Sequence, residues 1–171
     1  MRNRFIPPIA LVLVALAGSV STSIAQGGAA PGPSGSPSST SAAETIRTLF
    51  AAAERGDLAA LDTLYAGDSL TVVEGAGINR GWADYRDHHL APELKEMKNF
   101  KYRPYDIVAR TSGDLAWVMF SYGIQGEMGT RVLDQVGRGT AILERRGQRW
   151  VVRHTQTSSR ARRPSDAPFP K

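Results

Sequence analysis

The chain has 171 residues, 42% hydrophobic and 22% charged, which is enough apolar material for one domain with a self-sufficient core. The formal net charge is +5, and the sequence contains no cysteine. That absence excludes disulfides, thiol catalysis, thiolate metal sites and the N-terminal cysteine that a lipid-anchored form would need.

In chain order, residues 1–25 read as a secretory signal peptide. Arg2 and Arg4 give a basic end, Ile9 to Ala17 is a short apolar run, and Ser23-Ile24-Ala25 offers small residues for cleavage. A membrane anchor would need roughly 20 apolar residues, and Gly18, Ser19 and the run Ser21 to Ser23 interrupt this one too early. Cleavage would start the mature protein near Gln26, secreted or periplasmic, soluble and free of the membrane. Without Arg2 and Arg4 the net charge falls to +3. Much of the excess is then late, in Arg145, Arg146, Arg149, Arg153, Arg160, Arg162 and Arg163. This cluster reads as a solvated hairpin tip and a basic tail, and export argues against nucleic acid as a partner.

Residues 26–41 are almost wholly Gly, Ala, Pro and Ser, so they are expected to be a disordered linker. The domain then runs over 42–160. Ser41 caps a helix in which Ile46, Leu49, Phe50 and Ala53 recur on one face until Gly56. Asp57 caps a second, shorter helix with Leu58, Leu61, Leu64 and Tyr65 as its apolar stripe. Ser69 to Glu74 is a short strand, Gly75 to Gly81 a glycine-rich loop, and Trp82 to Met97 a third helix that Pro92 should kink or restart. From Phe100 the period becomes two. Phe100 to Ala109, Leu115 to Gln125, Leu133 to Arg145 and Arg149 to Ser159 are four strands of a meander, the last two closing on the turn at Gly147. Residues 161–171, basic and proline-rich, are expected to be a disordered tail.

The helical opening ETIRTLFAAAERGDLAALDTLYAGD, the segments Gly81-Trp82 and HHLAPEL, and the closing RGTAILERRGQRWVVRHTQTSS occur in an order and spacing that resemble the nuclear transport factor 2-like superfamily. Within it the chain is most similar to the SnoaL-like branch of small bacterial proteins, many without assigned function. The resemblance spans the whole folded unit. It implies an α+β fold: a cone-shaped barrel of a strongly curved, mostly antiparallel sheet wrapped around three helices. A pocket between sheet and helices, and a homodimer through the outer sheet face, are further implications.

Fold does not decide chemistry. His154 is the first candidate base, because strict alternation would place it on one face with Trp150, Val152 and Gln156. His89 is the second. Helical spacing groups it with Trp82, Tyr85 and Glu93, facing inward, and turns His88 to solvent with Asp84 four residues before it. The two histidines diverge too far to chelate one metal, and no cofactor is expected. Arg138, between Gly137 and Gly139, could hold a carboxylate where the glycines leave room for a ligand or another backbone. Asp68 is either a pocket acid or a turn residue. Trp82, Tyr85, Trp150 and Tyr65 complete the expected ligand-binding wall, suited to a small apolar or aromatic molecule. The leading expectation is therefore small-molecule binding with no demonstrable catalytic set. A cofactor-free isomerase, cyclase or hydrolase using His154 or His89 as base, with Tyr65, Tyr85 or Arg138 orienting substrate, is the alternative. An assembly module that only dimerises is a third.

Overall fold

In a computed structural model, residues 40–171 are described. The leader and nearly all of the linker lie outside them.

Helix α1 (Ala42–Glu54) starts where Ser41 Oγ accepts a hydrogen bond from the Glu44 amide at 3.1 Å. Its stripe of Ile46, Leu49, Phe50 and Ala53 is buried as the spacing requires. Gly56, at φ 66°, turns the chain in a conformation that side-chain-bearing residues disfavour. Asp57 Oδ1 then caps α2 (Leu58–Leu64) by accepting from the Ala60 amide. A 3₁₀ turn (Gly67–Ser69) leads into β1 (Thr71–Glu74).

The next segment departs from expectation. Residues 75–81 are not simply a loop, because Gly77–Arg80 forms a strand, β2, antiparallel to β1, with Glu74 opposite Gly77 across a two-residue turn at Gly75. Four residues containing one large apolar side chain, Ile78, give too little alternation to reveal a strand. The third helix, α3, follows as one continuous run: α-helical over Trp82–Tyr85, π-helical over Arg86–Leu90 and α-helical again over Ala91–Glu96. Pro92 is the physical reason. It has no N–H to give the His88 carbonyl, and its ring would strike that carbonyl in a regular turn, so the helix widens there instead of breaking.

Four long strands complete the domain: β3 (Met97–Ser112), β4 (Leu115–Met128), β5 (Arg131–Arg146) and β6 (Arg149–Ala161). All extend beyond the sequence-derived limits, and β3 takes Met97 from the helix. The sheet order is β2-β1-β6-β5-β4-β3, antiparallel except for the β1–β6 pair. Asn99 and Asp106, with φ of 51° and 49°, sit at register shifts in β3, the bulges that let a long edge strand curve. The core lies between the helices and the inner sheet face. There Phe50 meets Tyr102, Phe120 and Tyr122, with ring centroids 4.1, 5.3 and 5.9 Å away.

Gly137 and Gly139 serve this inner face. A Cβ on Gly139 would stand 2.5 Å from Phe120 Cζ, and one on Gly137 would collide with the Tyr122 ring. The space they leave belongs to the protein's own aromatic rings. Residues 162–171 have no helix or strand, as a proline-rich tail should, yet the tail is held against the domain. Arg162 pairs with Asp134 at 2.8 Å, Arg160 pairs with Asp166 at 2.7 Å, and Phe169 covers Gly123. Composition could not reveal this, because the anchors are single residues on β4, β5 and β6.

Candidate functional site

A cavity of about 450 Å³ opens between α3 and the inner sheet face. Leu90, Leu94, Phe100, Tyr102, Tyr122 and Ile124 form most of its apolar wall, and Glu74, Glu93, Arg131 and the imidazole of His89 also line it. A smaller cavity of about 30 Å³ shares Glu74, Tyr85 and Tyr102 with it and adds Phe50 and Tyr65.

The polar centre is the pair Glu74–His89. His89 Nε2 lies 2.8 Å from Glu74 Oε2, and both side chains are about 70% buried, with 28% and 30% of their surface exposed. Glu93 Oε1 lies 3.5 Å from the same nitrogen. Glu74 also receives a long hydrogen bond from Thr157 Oγ1 at 3.5 Å, and its position opposite Thr157 in the β1–β6 ladder makes that contact possible. Burial raises the Glu74 carboxyl above the usual carboxylate range. The neighbouring His89 opposes that shift, and Glu93 reinforces it. Burial also lifts the phenols of Tyr65, Tyr85 and Tyr102, so at neutral pH all three are uncharged O–H donors. The Tyr85 ring stands 5.2 Å from the His89 ring, and Tyr65 stacks on Trp82 at 4.6 Å.

On its far side His89 Nδ1 faces Asn79 Oδ1 at 3.2 Å, so one imidazole bridges β2 and β1. The β1–β2 hairpin supplies both partners, because Val72 opposite Asn79 and Glu74 two residues beyond Val72 share the inner face.

The sequence-derived site residues separate into two groups. His89 and Tyr85 line the main cavity, Tyr65 lines its small neighbour, and Trp82 stands behind Tyr65, its indole N–H donated to Asp62. His88 is solvent-exposed, 3.1 Å from Asp84, as helical spacing implied. The others lie elsewhere. Trp150 is buried, but it packs under Arg145, whose guanidinium carbon is 4.3 Å from the ring centroid, and it does not line the cavity. Asp68 is an exposed residue of the 3₁₀ turn. Arg138 points to the outer sheet face between Ser121 and Ser158, beside an open trough of about 570 Å³.

His154 is also on that outer face. A bulge in β6 is the reason: Leu143 pairs with Val152, whereas Ile142 pairs with His154, leaving Arg153 as the extra residue. One inserted residue reverses the alternation, so Trp150 and Val152 face inward and His154 faces outward beside Thr71 and Ile142. Arg153 is held in the bulge by Glu144 Oε2 at 2.6 Å.

Glu74 escaped the sequence reading. A signal was available, since period two from the apolar Val72 puts a carboxylate on the core-facing side at the end of SLTVVE. Asn79 had no comparable signal, because it lies in a strand that the sequence hides.

Solved structures show which class of protein this architecture defines. A Shewanella frigidimarina NCIMB 400 protein named for a proposed ketosteroid isomerase activity aligns with a TM-score of 0.62 at 24% identity, covering 69% of this chain and 95% of that one. A proposed dehydratase of the nuclear transport factor 2-like family from Streptomyces avermitilis aligns at 0.60 and 18% identity, over 67% and 89%. A nuclear transport factor 2-like superfamily protein from Salmonella enterica serovar Typhimurium aligns at 0.61 and 14%, over 74% and 94%. At these identities the likeness establishes the fold, that of the nuclear transport factor 2-like superfamily. More specifically, the sequence model of the SnoaL-like domain matches residues 43–162, and the chain belongs to that family. No curated protein matches the sequence.

Proposed function

We propose that the domain binds a small, apolar, ring-bearing molecule in the cavity under α3, with Glu74–His89 as its polar anchor. The single observation that carries this reading is the 2.8 Å carboxylate–imidazole contact in a cavity of about 450 Å³ whose aromatic and aliphatic wall is edged by Glu93, Arg131, Gln135 and the Thr157–Ser159 segment. Such a cavity favours a flat apolar body, and the pair offers that body one hydrogen-bonding position. Native mass spectrometry of the purified mature protein tests it. A co-purified or added ring compound that binds wild type and binds more weakly to His89→Ala supports the reading, and a cavity that takes no such compound from a broad panel refutes it.

The same pair favours a second reading, proton transfer on the bound molecule. A carboxyl group raised by burial and a histidine in direct contact can exchange one proton between them, as a general acid–base step needs. Deuterium exchange from D₂O into acidic C–H positions of a bound compound, followed by NMR, would register such a step. An unchanged exchange rate in Glu74→Gln would remove Glu74 from it.

Two further proposals concern the whole protein. Export rests on the leader over residues 1–25, and a mature N-terminus near Gln26 in the exported fraction is the expected result. Homodimerisation through the outer sheet face is supported by Val108, Trp117, Met119 and Ile142, which are 38–43% exposed together on that face. Sedimentation of wild type and Trp117→Arg tests it, with a shift from dimer to monomer expected in the variant.

A further inference from the structure

The second strand of the β1–β2 hairpin, β2, falls within the segment expected to be a loop. Asn79 on β2 stands on the side of His89 away from the cavity, and its amide is oriented by groups whose roles are unambiguous. Its Nδ2 donates to Asp84 Oδ2 at 3.1 Å, and the same carboxylate oxygen accepts the Arg80 amide at 3.0 Å. Those hydrogen bonds hold the Asp84 carboxyl below the usual range, the Arg80 amide contributing most, so Asp84 is ionised and can only accept. The amide nitrogen of Asn79 must therefore face Asp84, and its oxygen must face His89 Nδ1, 3.2 Å away. An oxygen that only accepts requires a proton on the nitrogen it meets.

We infer that Asn79, oriented by Asp84, is a positioning residue that keeps the Nδ1 proton on His89 and makes Nε2, the nitrogen facing Glu74, the only one that gains and loses a proton. The inference rests on His89 being the polar anchor of the cavity, but its test does not require a ligand. Three features converge on it. The widened turn Arg86–Leu90 places His89 over the hairpin, β2 holds Asn79 in the register opposite Val72, and Asp84 lies in the first turn of the same helix. The groups around the imidazole are Glu74 and Glu93 at Nε2, Asn79 at Nδ1 and the Tyr85 ring beside it, while His88 is paired with Asp84 Oδ1 on the outside. Without Asn79 the acceptors left at the ring are the carboxylates of Glu74 and Glu93, both at Nε2. The cavity-facing nitrogen would then carry the proton in much of the neutral population and could no longer accept one from Glu74 or a bound molecule.

The experiment is long-range ¹H–¹⁵N NMR of the ¹⁵N-histidine-labelled mature protein across the His89 titration, with the resonance assigned by its loss in His89→Gln. In wild type the neutral imidazole is expected as the Nδ1–H form, with Nε2 showing the large titration shift. In Asn79→Leu the tautomer ratio should move toward Nε2–H by roughly tenfold, the equivalent of one net hydrogen bond. A wild-type His89 that is Nε2–H when neutral overturns the inference without recourse to any variant, as does a folded Asn79→Leu protein with an unchanged ratio. Failure to bind any ring compound would instead strike the ligand reading and leave the tautomer result standing.

Discussion

On β4, Phe120 and Tyr122 point into the cone and are buried, while Trp117 and Met119 point out and are 43% and 42% exposed. The same division runs along β6, where Val152 is fully buried and His154, just past the bulge, is not. Inner and outer faces are thus made from alternate residues of the same strands, yet among the described residues it is the inner one that combines apolar walls with a partly buried carboxylate–imidazole pair. The outer face carries comparable residue types, Arg138, His154 and several large apolar groups, without the helices that would enclose them. Enclosure rather than residue type separates the candidate site from its outer counterpart, because desolvation gives a polar contact its strength and shifts its protonation.

Substitutions on the two faces should differ accordingly. The largest effect is expected from Phe120→Ala, which removes a ring buried against Phe50 and should cost about 3–5 kcal/mol in denaturant unfolding. Gly139→Ala follows, since its methyl must displace the Phe120 ring, with an expected loss of about 1–3 kcal/mol. A smaller loss than in a surface Gly→Ala control would break the claim that inner-face aromatics fill these positions. Next, His89→Ala should weaken binding of any cavity ligand by about tenfold, one lost hydrogen bond in a partly desolvated site, while His154→Ala leaves it unchanged. Equal losses in calorimetric titration would erase the distinction between the faces.

Glu74 gives a pH-dependent test. Its folded-state pKa lies above the ordinary 4.5, so between those values the native state holds more protons than the unfolded one, and stability falls as pH rises through that window. Glu74→Gln should flatten this decline, and thermal unfolding of both proteins from acid to neutral pH would show it. An unchanged slope would move the burial cost elsewhere. The smallest effect belongs to Trp117→Ala, within about 0.5 kcal/mol when measured on monomer, as for an exposed position. A much larger, concentration-dependent loss would mean that the outer face is covered in solution.

Much of the architecture was legible before any coordinates. Ser41 and Asp57 announced their helices by capping chemistry, and the alternation from Phe100 onward announced the meander. His89 could be assigned to the interior because helical spacing tied it to Trp82 and Tyr85. The candidate site was less legible, for two local reasons. Strand β2 has only four residues, and its pairing with β1 rather than its own composition makes it a strand. The β6 bulge is a matter of register against β5, where Glu144 of the neighbouring strand holds Arg153, and a strand's own sequence does not record that pairing. Extrapolating period two through that point assigned His154 to the wrong face.

By itself, then, the sequence determined every helix and every strand but β2, and which family the fold belongs to, because caps, glycine stops and hydrophobic periods act over a few neighbouring residues. Tertiary structure alone decided which face each polar group joins past a bulge, and which distant residues become partners. Glu74, Asn79 and His89 come from two strands and a helix. Their chemistry exists only once a hairpin turn and a widened helical turn have brought them within hydrogen-bond reach.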